Sequence, residues 1–265
     1  GSNEYYSPAI KLNRTMTGNA AAETHANGNQ FQSPDQILRS LLIADDDPRF
    51  RQALIAFIEF YRHHNRGWFQ QIHAADCGQT CVITATTQQP ELVLLDLEFL
   101  VDNESGLEIF AELRRAGYGG KVAIVSGHND PHGIFRAMQA GACGYLLKDR
   151  LIAQLPEALQ TWAQDRIYLG DEVTTRFFSV FRQPDRATIE LEEALTSRES
   201  EVLQLLVNGA SNQDMADRLY ITTGTVKAHL TSIFSKLQVN SRTQAIVRAV
   251  KTGLVAIEAV EFEAK

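Results

Sequence analysis

Four short apolar runs in the first half of the chain each end in a polar side chain. Leu41-Leu42-Ile43-Ala44 leads into Asp45-Asp46-Asp47, Leu92-Val93-Leu94-Leu95 into Asp96, Val122-Ala123-Ile124-Val125 into Ser126, and Cys143-Gly144-Tyr145-Leu146-Leu147 into Lys148. If these runs are strands of one open parallel sheet, their carboxyl ends form the rim where such sheets bind ligands. Carboxylates gathered there repel one another unless a cation or a proton intervenes. Hard oxygen ligands suit Mg²⁺, which keeps waters and bridges to phosphoryl groups. A carboxylate that attacks phosphorus makes an acyl phosphate, while Mg²⁺ and an ammonium offset charge on the transferring oxygens. Each residue also has a plainer role: Asp47-Pro48 is a helix start, Asp96 a loop start, Ser126-Gly127 a turn, and Lys148 a solvated charge. It is their joint occurrence at successive strand ends that favours the pocket.

Short continuous apolar runs suit strands buried on both faces, and amphipathic stretches at 49–61, 107–115 and 133–140 lie between them. That alternation predicts βαβ units and a parallel sheet. Gln71-Ile72-His73-Ala74 is a weaker strand candidate, and His63, His64 and Trp68 read as exposed residues near a helix end. Residues 151–162 have helical spacing, whereas 170–190 carry mixed charge and Pro184 and read as a linker with at most a helical turn. Residues 1–38, rich in Asn, Thr, Ser, Ala and Gly, are expected to be a disordered extension, and Gly1-Ser2 resembles a cloning scar.

A length of 265 residues with 44% apolar side chains points to two domains with a core each. No apolar run approaches the ~18 residues of a membrane span and no leader-like segment opens the chain, so the expected setting is soluble and cytoplasmic, with no membrane partner. Cys77, Cys81 and Cys143 are odd in number and lack metal-ligand spacing, which favours reduced core thiols.

The net charge of −7 is unevenly spread. Arg218, Lys227, Lys236, Arg242, Arg248 and Lys251 fall between 218 and 257 with no acidic residue among them, so one face there must be electropositive. Thr196 with Glu199 three residues on is a helix-start signal; Asn208-Gly209 ends that helix, Ser211 or Asn212 opens a second, and 220–224 break before a third. This is helix-turn-helix spacing. In the third helix Val226, Leu230, Ile233 and Leu237 make the inward stripe, and Lys227, Ala228, Thr231 and Ser235 the outward one.

Residues 40–150 resemble the receiver domain of two-component response regulators. The resemblance implies Asp96 as phosphoacceptor, Asp45, Asp46, Asp96 and the Glu98 carbonyl as the Mg²⁺ site, Ser126 and Lys148 as phosphoryl contacts, and Tyr145 as the switch aromatic. The loop after Asp96 departs from the family: it lacks Met-Pro and is about two residues longer, a change loop entropy tolerates. The string Leu195-Thr196, Arg198-Glu199, Glu201-Val202-Leu203, then 209–216, then Thr225-Val226-Lys227-Ala228-His229 and Lys236-Leu237 closely resembles the LuxR-type DNA-binding domain. Together the two resemble a NarL/FixJ-type response regulator. That implies a recognition helix in the major groove at Lys227, Ala228 and Thr231, backbone contacts from Asn212 and Thr225, and a dimer interface at Ile246, Ala249 and Val250, although the last helix would serve equally to dock on its own domain.

The expected architecture is a doubly wound, flavodoxin-like α/β receiver (39–150), a final receiver helix and linker (151–190), and a small all-α helix-turn-helix domain with a tail (191–265). The expected function is transcriptional response regulation rather than enzymatic turnover. It is switched by phosphorylation of Asp96, with a histidine kinase, double-stranded DNA and a second copy of the chain as partners. Two rivals share the pocket: an Asp-nucleophile Mg²⁺-dependent phosphohydrolase, and an interaction receiver that works without phosphorylation.

Overall fold

The computed structural model describes residues 37–65, 67–99, 104–180 and 195–255. Within these the chain folds into an α/β layer followed by four helices. The main sheet contains β1 (Ser40–Ala44), β2 (Gln71–Ala75), β3 (Leu92–Asp96), β6 (Lys121–Ser126), β7 (Gly144–Leu147) and β8 (Tyr168–Leu169). All are parallel, in the order β2-β1-β3-β6-β7-β8. The order reverses between β1 and β3, which places the switch point, and the crevice it opens, between the ends of those two strands. Helices α1 (Pro48–His64), α2 (Gly78–Gln88), α3 (Gly106–Arg115), α4 (Pro131–Gln139) and α5 (Leu151–Ala163) make the crossovers. Leu41, Leu92, Leu94, Ile124 and Leu146 are completely or almost completely buried, as the continuous apolar runs require.

Local chemistry sets the boundaries. Asp47 caps α1 by accepting from the Arg49 amide at 2.8 Å, with Pro48 in the first turn. Ser105 and Glu108 form a capping box on α3. Thr196 and Glu199 do the same for α7 (Ser197–Val207), which is followed by α8 (Asn212–Leu219), α9 (Thr223–Leu237) and α10 (Arg242–Thr252). Val226, Leu230, Ile233 and Leu237 are buried, the stripe expected of α9.

Several expectations change. The stretch read as a linker from 170 holds α6 (Asp171–Ser179), which buries Val173, Phe177 and Phe178, and β8 adds a sixth strand just before it. Only 181–190 of that stretch lie outside the described residues. The signal was missed because β8 is two residues long and α6 mixes its apolar positions with charges. Leu38, placed in the extension, is buried, and its carbonyl accepts from the Phe69 amide at 2.9 Å; the rest of the extension, 1–36, lies outside the described residues. Trp68 is buried edge-on against Tyr61 rather than exposed. Helix α2 was not read at all: Thr, Val and Ile crowd it, and these residues have low helix propensity.

Candidate functional site

The strand ends converge as the sequence implied. Asp45, Asp46 and Asp96 bring carboxylate oxygens within 4.8 Å of one another, and Asp45 and Asp96 are buried. The Lys148 ammonium lies 2.7 Å from Asp45 Oδ2 and 2.7 Å from Asp96 Oδ2, above the Phe50 ring at 4.5 Å from its centroid. One ammonium among three carboxylates leaves the pocket anionic. Burial holds the Asp96 carboxyl above the ordinary carboxylate range; Lys148 pulls it down and Asp45 pushes it further up. Burial alone would depress the Lys148 ammonium, but Asp45 and Asp96 more than reverse that.

Asp96 Oδ2 is taken by Lys148, whereas Asp96 Oδ1 is buried with no hydrogen-bond partner. A buried anionic oxygen left alone is costly. This orphaned oxygen, beside two further carboxylates, fits a hard divalent cation or a developing bond.

The backbone around the pocket is held closely. Asp45 Oδ1 accepts from the Asp47 amide at 2.9 Å, and Arg51 donates to the Asp45 carbonyl at 2.6 Å. A Cβ on Gly106 would stand 2.0 Å from the Asp96 carbonyl oxygen, so the start of α3 abuts the strand end as only glycine permits. The longer loop after Asp96 contains a two-stranded antiparallel ribbon, β4 (Glu98–Phe99) with β5 (Glu104–Ser105), and 100–103 lie outside the described residues. The Glu98 carboxylate lies 2.8 Å from His128 Nε2. Sequence reasoning missed His128; no local pattern announces a partner thirty residues away. Ser126 and Tyr145 meet at the same residue: the His128 amide donates to Ser126 Oγ at 3.0 Å, and Tyr145 Oη donates to the His128 carbonyl at 2.7 Å. Burial pushes the Tyr145 phenol up to about 12, so it stays a donor.

On the helical domain Thr225, Lys227, Ala228 and Thr231 are exposed, so the outward stripe of α9 is open. Asn212 is placed elsewhere: its amide oxygen accepts from Arg242 Nη1 at 3.2 Å. Lys236 is tied to Glu199 at 2.6 Å. Ile246 and Ala249 are buried and Val250 is half-buried, all within the apolar cluster that also holds Ile134, Ala137 and Met138 around α4. Thr243 Oγ1 donates to the Ala142 carbonyl at 2.8 Å, and Gln244 Nε2 to the Gln139 carbonyl at 3.1 Å, so α10 packs against the α4 side of the α/β layer. Gly141 has φ +100° and would place a Cβ 2.8 Å from Ser241 Oγ, a close approach that needs glycine. No helix among the described residues is long and apolar enough to cross a membrane.

Comparison with known proteins accords with both halves. The family described as "Response regulator receiver domain" matches residues 41–160, and "Bacterial regulatory proteins, luxR family" matches residues 193–249. The transcriptional regulatory protein LiaR of Bacillus subtilis is 32% identical over 219 residues, covering 83% of this chain and 100% of LiaR. The transcriptional regulatory protein DegU of Brevibacillus brevis is 29% identical, covering 82% of this chain and 95% of DegU. The response regulator protein VraR of Staphylococcus saprophyticus is 33% identical, covering 67% and 82%. With a receiver sheet carrying an acidic rim and a four-helix reader attached to it, the chain belongs to the NarL/FixJ-type two-component response regulators, which join a receiver to a LuxR-type helix-turn-helix domain.

Proposed function

We propose that this protein regulates transcription, and that a phosphoryl group carried on Asp96 sets whether its helical domain engages DNA. The observation that carries the reading is the split state of the Asp96 carboxylate: Oδ2 is held by Lys148 at 2.7 Å while Oδ1 is buried and unpartnered. Oδ1 is therefore the nucleophile. It forms a bond to phosphorus as the bond from phosphorus to the donor, a kinase phosphohistidine, breaks, and Lys148 moves from the carboxylate towards the arriving phosphoryl oxygens. Asp45, Asp46 and Asp96 would hold Mg²⁺, with the Glu98 carbonyl as a further oxygen ligand. Bound there, the ion supplies charge neutralisation and in-line positioning. The Ser126 hydroxyl lies on the same rim to hydrogen-bond a phosphoryl oxygen, and Tyr145 follows its displacement through His128.

The reader would approach the major groove through Lys227, Ala228 and Thr231, with Thr225 and Asn212 towards the backbone. Because that stripe of α9 is exposed while α10 is packed on the α4 side, the unphosphorylated arrangement restrains pairing rather than groove access. Phosphorylation favours a state in which Ile246, Ala249 and Val250 are released to pair with a second copy. A population shift of this kind requires the phosphoryl group to stabilise the open state differentially.

Incubation with acetyl phosphate and Mg²⁺ should yield one phosphoryl group per chain and no sustained turnover; continuous multiple turnover would instead favour a phosphohydrolase. A parallel DNA titration should show tighter binding by the phosphorylated chain, and equal affinity of the two forms would sink the switch.

A further inference from the structure

Between the α/β layer and the reader lies a cavity of about 750 Å³, well within the size range of small-molecule sites. It is separate from the Asp96 pocket. Four of its lining side chains are cationic, Arg114, Lys121, Arg166 and Arg242, and the one acidic lining residue is Asp165, an excess of three positive charges in the lining, which Asp214, outside the lining, offsets in part at Arg166 and Arg242. Lys121 is the cation that Asp165 pairs, at 2.7 Å.

The three arginines have only neutral partners. Arg114 donates to the carbonyls of Tyr118 and Gly120 at 2.7 and 2.9 Å. Arg242 donates to Asn212 and to the Ala210 carbonyl, and Arg166 to the Gln164 amide oxygen. The Nε of Arg166 is buried without any hydrogen-bond partner. Burial lowers the Arg242 guanidinium to about 10; Asp165 and Asp214 raise it in part, while Arg166, a like charge from the other domain, lowers it again. Guanidinium groups that hydrogen-bond only neutral oxygens, two of them, Arg166 and Arg242, close enough to repel, suit an anion with several acceptor oxygens. Phe234 adds half-buried aromatic wall beside them, whereas the buried rings of Phe110 and Tyr118 lie against the Arg114 guanidinium, 5.1 and 5.7 Å from its central carbon.

The geometry points to this cavity as a binding site for a small phosphorylated metabolite bearing a flat ring, a nucleoside monophosphate in size and chemistry, whose phosphate bridges Arg166 of the receiver and Arg242 of the reader. Its ring lies against Phe234. Such a ligand removes the repulsion between two cations from opposite domains, so it holds the two in their packed arrangement. On the reading given above, it therefore opposes the phosphorylated state, and by linkage phosphorylation must weaken its binding by the same factor.

The test is a calorimetric titration of the full-length, unphosphorylated protein with adenosine 5′-monophosphate, inorganic phosphate and adenosine as separate probes. The monophosphate should bind at least tenfold more tightly than either of the others. Arg166→Gln and Arg242→Gln should each weaken it about tenfold, and Arg166→Lys, which keeps the charge, should weaken it less. Because Arg242 also braces the start of α10, thermal melting checks its variant; if that variant fails to fold, the half-buried Arg166 carries the test alone. Absence of monophosphate binding, equal affinity for adenosine or for inorganic phosphate, or unchanged binding by folded Arg166→Gln would overturn the assignment. DNA and phosphodonor are absent from this titration, so its failure leaves the switch untouched, and a failed switch leaves the binding result standing.

Discussion

Thr243 Oγ1 donates to the Ala142 carbonyl at 2.8 Å across the boundary between receiver and reader, joining residues 101 positions apart. Both residues are buried. Thr243→Val keeps the shape, removes the donor and leaves that carbonyl unsatisfied, a loss of about 1 kcal/mol from the packed arrangement. The unphosphorylated variant should then bind DNA about fivefold more tightly than the parent, read by fluorescence anisotropy. No change in affinity would mean that this contact does not restrain the reader.

Asp96→Asn retains the shape of the pocket and removes the oxygen proposed as nucleophile. Mg²⁺-dependent incorporation of a hydroxylamine-labile phosphoryl group should fall to background, with thermal stability maintained because one buried negative charge has gone. Label at the parental level in the variant would assign the phosphoacceptor elsewhere.

Gly106→Ala places a methyl group 2.0 Å from the Asp96 carbonyl oxygen, so the strand end and the first turn of α3 must separate. We expect a loss of about 2 kcal/mol in receiver stability, the scale of an overpacked core, together with phosphorylation slowed at least tenfold. Denaturant unfolding and the rate of acyl-phosphate formation would be measured on the same preparation. A variant with parental values for both would show that this junction is plastic.

Glu199 anchors the reader from within. Burial would raise its carboxyl, but Lys236, Ser232 and Thr196 outweigh this and hold it at about 2, below an ordinary value of 4.5. A depressed acid stabilises the fold above its unfolded value and ceases to do so as pH falls through the folded one. The reader should accordingly weaken between about pH 4.5 and pH 2. Glu199→Gln should cost about 2 kcal/mol at neutral pH and flatten that acid dependence. Thermal melts of both proteins across the window would check the sign, and a variant as acid-sensitive as the parent would place the titration on another group.

Lys227 stands on the open stripe of α9 with no ion-pair partner among the described residues. If it meets a phosphate, Lys227→Ala should lower the slope of log affinity against log salt by about one unit, on specific and unrelated DNA alike. An unaltered slope would move the groove contact to another face.

The rim was legible in sequence because a buried parallel strand needs a continuous apolar run, and the residue that ends it must face the crevice. Asp45, Asp96, Ser126 and Lys148 could therefore be placed without coordinates. The reader helices were legible for a similar reason, since Thr196 with Glu199 and the stripe Val226, Leu230, Ile233 and Leu237 are local signals. What stayed hidden depends on distant partners: nothing local to Asn212 announces Arg242, and the sequence of α10, open to pairing with a second copy or docking on its own domain, does not announce Ala142 and α4 beneath it. Helix α6 was lost for a different reason, because its charges obscured the apolar face that Phe135 and Phe177 share in their stacked rings.

Residue 128 gives its amide to Ser126 and its carbonyl to Tyr145. Both bonds hang on one short piece of main chain, so they cannot be broken in turn at leisure. Releasing the serine moves the acceptor away from the tyrosine, whose hydroxyl would then be stranded beside the core, and a half-released intermediate carries that penalty without recompense. On the proposed switch, the local response would thereby be bistable. A signal arriving at this rim would be rounded to one of two values before any distant helix feels it.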